Sequence, residues 1–255
     1  MNKIFWVFAV VSLGFLTSCT FAEEISFNAD GSGKIVMSLD GSQAVAMMGS
    51  QIQGGDNKAM DSTIFIKDLI EKEGNKIPGL SELSPEKLET LKKVGIYILM
   101  NTEAKKMNFD MFSDFDTAND INKIFEAFRE VNEIQKKHGK GNGKMPADFG
   151  SMFGVNDGVS AKVQYEFKGK TFKRTTIILD EKLLRQNADS LARGEASMFL
   201  SNSKYSLKYH FPKKIESVSP DKVMISADGK TMMLEVNFSD YLKDPKILDV
   251  EVKLK

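Results

Sequence analysis

The sequence predicts an α+β fold in which antiparallel β-hairpins and a sheet pack with several amphipathic helices. Three observations lead there. Short runs of alternating apolar residues come in pairs around glycine-containing turns, as hairpins do. Longer segments with apolar residues at three- and four-residue spacing stand apart from them, as helices. The two kinds of segment do not alternate in the regular order of βαβ units, and no repeat of fixed period runs through the chain.

The first hairpin sets Ile25 and Phe27 against Ile35, Met37 and Leu39, with Asp30-Gly31 in the turn. A short helix is expected over residues 43–48, followed by a loose loop rich in Gly, Ser and Met. Ser62-Thr63 is read as the cap of a helix running to Glu73, with Ile66, Leu69 and Ile70 on one face. Ser84-Pro85-Glu86 opens the next helix, because proline suits the first helical position, and Leu88, Leu91 and Val94 form its inner face. Residues 95–100 are a compact apolar strand. Residues 106–115 are another, with Met107, Phe109, Met111 and Phe115 on one side.

The longest helical pattern covers residues 117–138, where Ile121, Ile124, Phe125, Phe128, Val131 and Ile134 recur on one face. Lys136, Lys137 and His138 suit the negative end of its dipole and Gly139 stops it. Residues 139–147 contain the Gly-Lys connector Lys140-Gly141-Asn142-Gly143-Lys144, the place for a sub-domain boundary. Beyond it, residues 159–167 and 171–179 form a hairpin around Gly169. Asp180 caps a helix to Phe199, with Leu183, Leu184, Ala188, Leu191 and Ala192 inward. Strands follow at 203–211, 222–226, 231–237 and 247–254, with Asp228-Gly229 in a turn.

Composition limits the function classes. The chain has 255 residues, 42% hydrophobic and 27% charged, which is ordinary for a globular protein with a sizeable core. Lys plus Arg and Asp plus Glu each total 35, so there is no basic excess of the kind nucleic-acid binding requires. Lys136-Lys137 and Lys213-Lys214 are short surface pairs. The single cysteine is Cys19, so the body of the chain has no disulfide, thiolate metal site or thiol nucleophile.

The N-terminus reads as an export signal. Lys3 supplies a positive start and an apolar run from Ile4 to Leu16 follows, shorter than the ~20 residues of a bilayer span. Leu16-Thr17-Ser18-Cys19 resembles the lipobox of bacterial lipoproteins, in which the cysteine thiol receives a diacylglyceryl group before the chain is cut just ahead of it. That resemblance implies a signal peptide over residues 1–18. It also implies an extracytoplasmic part over 19–255, held to the membrane by lipid on Cys19, at the outer membrane or the periplasmic face. Thr20-Phe21-Ala22 offers a second cutting site, before Glu23, which would release a soluble protein. No other stretch approaches the length of a transmembrane helix.

No residue set is assigned as catalytic, cofactor-binding or metal-binding, which leaves Cys19 as the one site residue, for lipidation. The two histidines, His138 and His210, lack a neighbouring Glu or His at ligand spacing. Gly31-Ser32-Gly33 is one residue too short for the nucleophile elbow of a serine hydrolase and lacks the Gly-Lys-Ser/Thr ending of a phosphate loop. Asp110, Asp114, Asp116 and Asp120 cluster without the order of a calcium loop; Asp116 and Asp120 suit the start of the long helix. Asp30 and Asp40 are turn residues. Paired carboxylates of a glycosidase stay open, because pairing is spatial. Met47, Met48, Met60, Met100, Met107 and Met111 line an apolar groove or fill core gaps.

Two segments, Ile25-Ser26-Phe27-Asn28-Ala29-Asp30-Gly31-Ser32-Gly33 and Tyr209-His210-Phe211-Pro212-Lys213-Lys214-Ile215 with the later Asp228-Gly229-Lys230-Thr231, are similar to the extracytoplasmic domain of LppM-type bacterial lipoproteins. The resemblance implies an envelope domain that begins with a hairpin, packs helices in the middle and ends in strands. It also implies a binding role rather than catalysis. The expected function is therefore a lipid-anchored envelope lipoprotein with a binding or structural role and no cofactor. Its partners are the membrane and an unidentified protein or glycolipid, not nucleic acid. An exported hydrolase and a carrier of an apolar molecule are the alternatives.

Overall fold

The computed structural model describes residues 19–48, 59–73, 80–137, 160–193 and 197–255. In chain order the strands are β1 (Cys19–Phe27), β2 (Gly33–Asp40), β3 (Met60–Phe65), β4 (Val94–Asn101), β5 (Lys106–Phe115) and β6 (Ala161–Lys168). Then come β7 (Thr171–Ile178), β8 (Lys204–His210), β9 (Ile215–Ser219), β10 (Met224–Ile225), β11 (Thr231–Asn237) and β12 (Val250–Leu254). The helices are α1 (Ser42–Met48), α2 (Ile66–Glu73), α3 (Pro85–Lys92), α4 (Ala118–Lys137), α5 (Glu181–Arg193), α6 (Ser197–Leu200) and α7 (Phe238–Lys243), with a 3-10 turn at Pro245–Leu248. The fold is α+β.

The first hairpin forms because its turn is self-satisfied. The Asp30 carboxylate accepts from Ser32 N at 3.0 Å and from Ser32 Oγ at 2.7 Å, while Gly31 takes φ 91°, where a side chain is strained. Gly33 is required for space: a Cβ there would lie 2.1 Å from the Ser26 carbonyl oxygen. This hairpin is the middle of an eight-stranded sheet ordered β10-β11-β8-β1-β2-β5-β4-β3. Every pairing in it is antiparallel except β1 with β8. A second, antiparallel sheet runs β6-β7-β12-β9.

Helix α4 joins the two sheets. Its side chains Ile121, Ile124, Phe128 and Val131 are buried, and Phe125 and Ile134 pack beside them. The Asn122 amide clamps β6 by donating to the Tyr165 carbonyl at 2.9 Å and accepting from Tyr165 N at 2.8 Å. Where the sheets meet, Phe27 of β1 touches Phe167, Phe172 and Phe211, with ring centroids 4.9, 5.1 and 5.6 Å away. A second aromatic group stands nearer the start of β1, where Phe21 stacks on Phe238 at 4.1 Å beside Tyr205 and Tyr241.

Several expectations are met closely: the strand at 106–115, the strand at 231–237, and the Ser84-Pro85 start of α3, whose Ser84 Oγ accepts from Lys87 N. Others need correction. Ser62-Thr63 does not cap a helix, because residues 60–65 pair with β4 as strand β3 and α2 begins only at Ile66. The helix after Asp180 is capped as expected, with Leu183 N donating to Asp180 Oδ1 at 2.9 Å. Its described part ends at Arg193, and no side chain in it is buried. It lies on the surface against α7, with Leu183, Leu184 and Ala188 half covered and Leu191 37% exposed. The strand expected from Ile247 starts at Val250, since Asp244 accepts from Lys246 N and Pro245 opens a 3-10 turn. Strand β9 and helix α7 were not expected at all. The segment 1–18 expected to be a signal peptide, His138 and residues 139–147 lie outside the described residues.

Phe21→Ala should lower stability by about 3–5 kcal/mol, as expected for emptying a packed aromatic site. Leu191→Ser should change it by less than about 0.5 kcal/mol. The midpoints of urea unfolding of the two variants check both.

Candidate functional site

Alternation along β1 points Phe21, Glu23, Ile25 and Phe27 into the core, so a carboxylate enters an otherwise apolar row. Alternation along β7 does the same with Phe172, Arg174 and Thr176. A buried charge persists only when paired and hydrogen-bonded, and these two meet. Arg174 Nε donates to Glu23 Oε2 at 3.3 Å, and Tyr209 Oη of β8 donates to Glu23 Oε1 at 2.5 Å. Arg174 Nη1 donates to the Leu248 carbonyl at 3.2 Å and lies 4.0 Å from Asp249 Oδ1. Glu23 is 0% and Arg174 1% exposed. Asp249 is 30% exposed and already accepts from Thr176 N at 2.7 Å. The pair ties the eight-stranded sheet to the four-stranded one, and among the described residues no buried side-chain polar atom lacks a partner.

The electrostatics follow from this burial. The Tyr165, Tyr205 and Tyr209 hydroxyls are pushed well above the usual phenol value, first by burial and then by the negative charge of Glu23. Half-buried Tyr241 is raised for the same leading reason. Burial alone would lower the Arg174 pKa, but Glu23 and the surrounding tyrosines more than offset it, so the guanidinium stays charged. Tyr97 is also raised, mainly by its hydrogen bond to Asp61, but it stands on the half-exposed face of β4.

A cavity of about 70 Å³ adjoins this cluster, walled by Glu23, Tyr165, Arg174, Tyr205, Phe125 and Arg129 among others. That is room for a few waters and well below the ~300 Å³ of a small-molecule site. Glu23 is the only acid in its wall among the described residues, and both its oxygens are engaged. A glycosidase pair needs two carboxyl groups across one cleft, and this cavity does not assemble one.

A larger cleft, of about 310 Å³, opens at the far end of β1. The β1–β2 turn with Asn28 and Asp30, the start of α4 with Asp116, the β6–β7 turn with Lys170, and Lys213 surround it. Two segments distant in sequence meet here, the Asn28–Gly31 turn and Pro212-Lys213. Its charges are mixed: Asp116 is bound to Lys93 at 3.0 Å, and Ser32 holds the Asp30 carboxyl below its ordinary value.

The remaining residues singled out by sequence have local duties. Cys19 begins β1, opposite Lys204 of β8. His210 Nδ1 lies 2.9 Å from Thr231 Oγ1 on the exposed face of β8. Asp120 accepts from Thr117 N at 2.8 Å at the start of α4, and Asp40 accepts from Ser42 N at 2.9 Å before α1. Among the described residues no three His, Cys, Asp or Glu side chains gather to hold a metal ion. Met111 fills the core opposite Met37, whereas Met60, Met100 and Met107 pair in one row across β3, β4 and β5. The side chains of Met47 and Met48 lie outside the description. Sequence reading missed the Glu23–Arg174 pair, although Glu23 sits at two-residue spacing in Phe21-Glu23-Ile25-Phe27 and so falls on the apolar side.

Glu23→Gln or Arg174→Met alone should each destabilise by about 3–5 kcal/mol, since each leaves a buried charge uncompensated. The double variant should lose less than the sum of the two, read as a thermodynamic cycle from denaturant unfolding. The tyrosines give a second test. A folded pKa raised above the unfolded value of 10.0 leaves the stability contribution intact below that pH and removes it as pH climbs toward the folded value. Stability should therefore fall on the alkaline side of about pH 10. Tyrosinate absorbance should rise first for Tyr97 and appear for the three buried tyrosines only with unfolding.

No protein-family model matches the chain, and no curated protein sequence does. Among solved structures it is similar to the folded domain of LppM from Mycobacterium tuberculosis, determined by NMR, at 7% identity over 93% of this chain and 90% of that one, with a TM-score of 0.37.

Proposed function

We propose that the chain is an envelope lipoprotein, cut before Cys19 and anchored by lipid on that residue, with a binding or structural rather than catalytic role. The observation that carries this reading is the position of β1. Phe21 and Glu23 are core residues within a strand that starts at Cys19 and is flanked by β2 and β8. A cut before Cys19 leaves all of the described strand. A cut before Glu23 removes the Phe21–Phe238 stack, about 3–5 kcal/mol of packing. It also sets a charged α-ammonium group in the middle of the sheet, beside a side chain that is 0% exposed. Of the two export sites readable in the sequence, the fold favours the one that acylates Cys19.

The non-catalytic role is supported by the engagement of both Glu23 oxygens at the small cavity and by the mixed charges of the open cleft. Among the described residues no helix is long and apolar enough to cross a membrane, and the attachment proposed is the acyl chains. More than one buried chain gives durable binding, at about 0.8 kcal/mol per CH₂.

Cys19→Ala should move the protein from the membrane to the soluble fraction of the exporting bacterium, and mass spectrometry of the unaltered protein should find an acylated N-terminal Cys19. A mature chain starting at Glu23 with no acyl mass would overturn the proposal.

A further inference from the structure

We propose that the end of the eight-stranded sheet carrying Cys19 rests directly on the bilayer, with the row Met60, Met100 and Met107 as its apolar contact, so that the Asp30 cleft faces away from the membrane. This inference rests on the lipid anchor proposed above and adds the surface that meets the lipid.

The first argument is the absence of slack. Cys19 is itself the first residue of β1 and is paired opposite Lys204. Acyl chains on that residue start inside the hydrogen-bonded fold, with no spacer to let the domain turn over. The second argument is register. Phe21 pairs with Leu39, and Leu39 with Phe109. Beyond Phe21 a bulge shifts β1 against β8 and sets Cys19 opposite Lys204, at the same end of the sheet as Gly41 and Met107, where Gly41 N donates to the Met107 carbonyl at 2.8 Å. Met107 pairs with Met100, and Met100 with Met60. The three methionines share one rung, and Cys19 lies at the same end of the sheet. At the strand spacing of ~4.8 Å, the strand of Met107 is about 10 Å and that of Met60 about 19 Å from β1 across the sheet.

The third argument is chemistry. Met60 is 46% exposed, and Met100 and Met107 are half-exposed, so the rung offers flexible apolar side chains to lipid. The β4–β5 turn beyond it is fixed, with Ala104 N donating to Asn101 Oδ1 at 2.8 Å, and it presents Lys105 and Lys106 at the rim. Glu103 and Asp61 are exposed at the same end and balance those charges. The contact is therefore apolar rather than electrostatic, and zwitterionic lipid suffices. The cleft lies past Phe27, eight residue steps from Cys19, or roughly 26 Å at 3.3 Å per residue.

The acylated full-length mature protein, reconstituted in phosphatidylcholine vesicles, tests this. Its only cysteine is occupied by the lipid, so Ala104→Cys or Ala29→Cys supplies a single thiol for a fluorophore, one at each end of the sheet. Lipids spin-labelled at the headgroup should quench the label at 104 several-fold more than the label at 29. Met60→Glu combined with Met100→Glu should weaken that difference while the protein stays membrane-bound. Equal quenching, or stronger quenching at 29, on protein with the acyl mass present overturns the orientation and leaves the anchor standing. Absence of the acyl mass overturns both.

Discussion

The structure depends on one buried ion pair. Glu23 and Arg174 come from strands of different sheets, 151 residues apart in the chain, and neither is tolerable in the core without the other. Their geometry fixes how the two sheets face each other in a way that the phenylalanines around Phe27 cannot, because apolar contact is not directional. Tyr209, Tyr165 and Tyr205 surround the pair, and the Leu248 carbonyl accepts a further hydrogen bond from the guanidinium, so the 3-10 turn before β12 is drawn into the same joint. A hydrophobic pair of similar volume could stabilise as well; the ionic version selects one alignment of the sheets.

Much of the fold was legible because local signals agreed with tertiary placement. The Asp30-Gly31 turn, the apolar face of α4 and the alternation in β5 each carry their own evidence in a short window of sequence. The errors came where tertiary contact decided. Residues 60–65 read as a helix start because Ser62-Thr63 can cap one, yet the open edge of β4 claims them as a strand. Leu183 and Leu191 sit at helical spacing, but the surface on which α5 lies is too small to bury them. The candidate sites divide in the same way. The lipid site proposed at Cys19 rests on a contiguous motif, whereas the Glu23–Arg174 pair and the cleft of Asn28, Lys170 and Lys213 are made only by folding.

The two cavities differ in kind. The small one is a polar remnant beside a satisfied joint, in which every buried polar side-chain atom described has a partner. The larger one is open, built from turns whose backbones are held by their own side chains, such as Asp30 with Ser32. Turns positioned by a rigid sheet are where recognition residues most often sit.

The parallel pairing of β1 with β8 carries a consequence for biogenesis. The first described strand is an interior strand, and its neighbour on one side is made some 180 residues later, as the contacts of Lys208 and Tyr209 with Glu24 and Glu23 show. Loop closure over such a separation delays assembly. The sheet therefore cannot close around β1 until almost the whole polypeptide has been synthesised. Until β8 is made, one edge of β1 stays open, and the growing chain carries an unpaired row of backbone donors and acceptors along its first described strand.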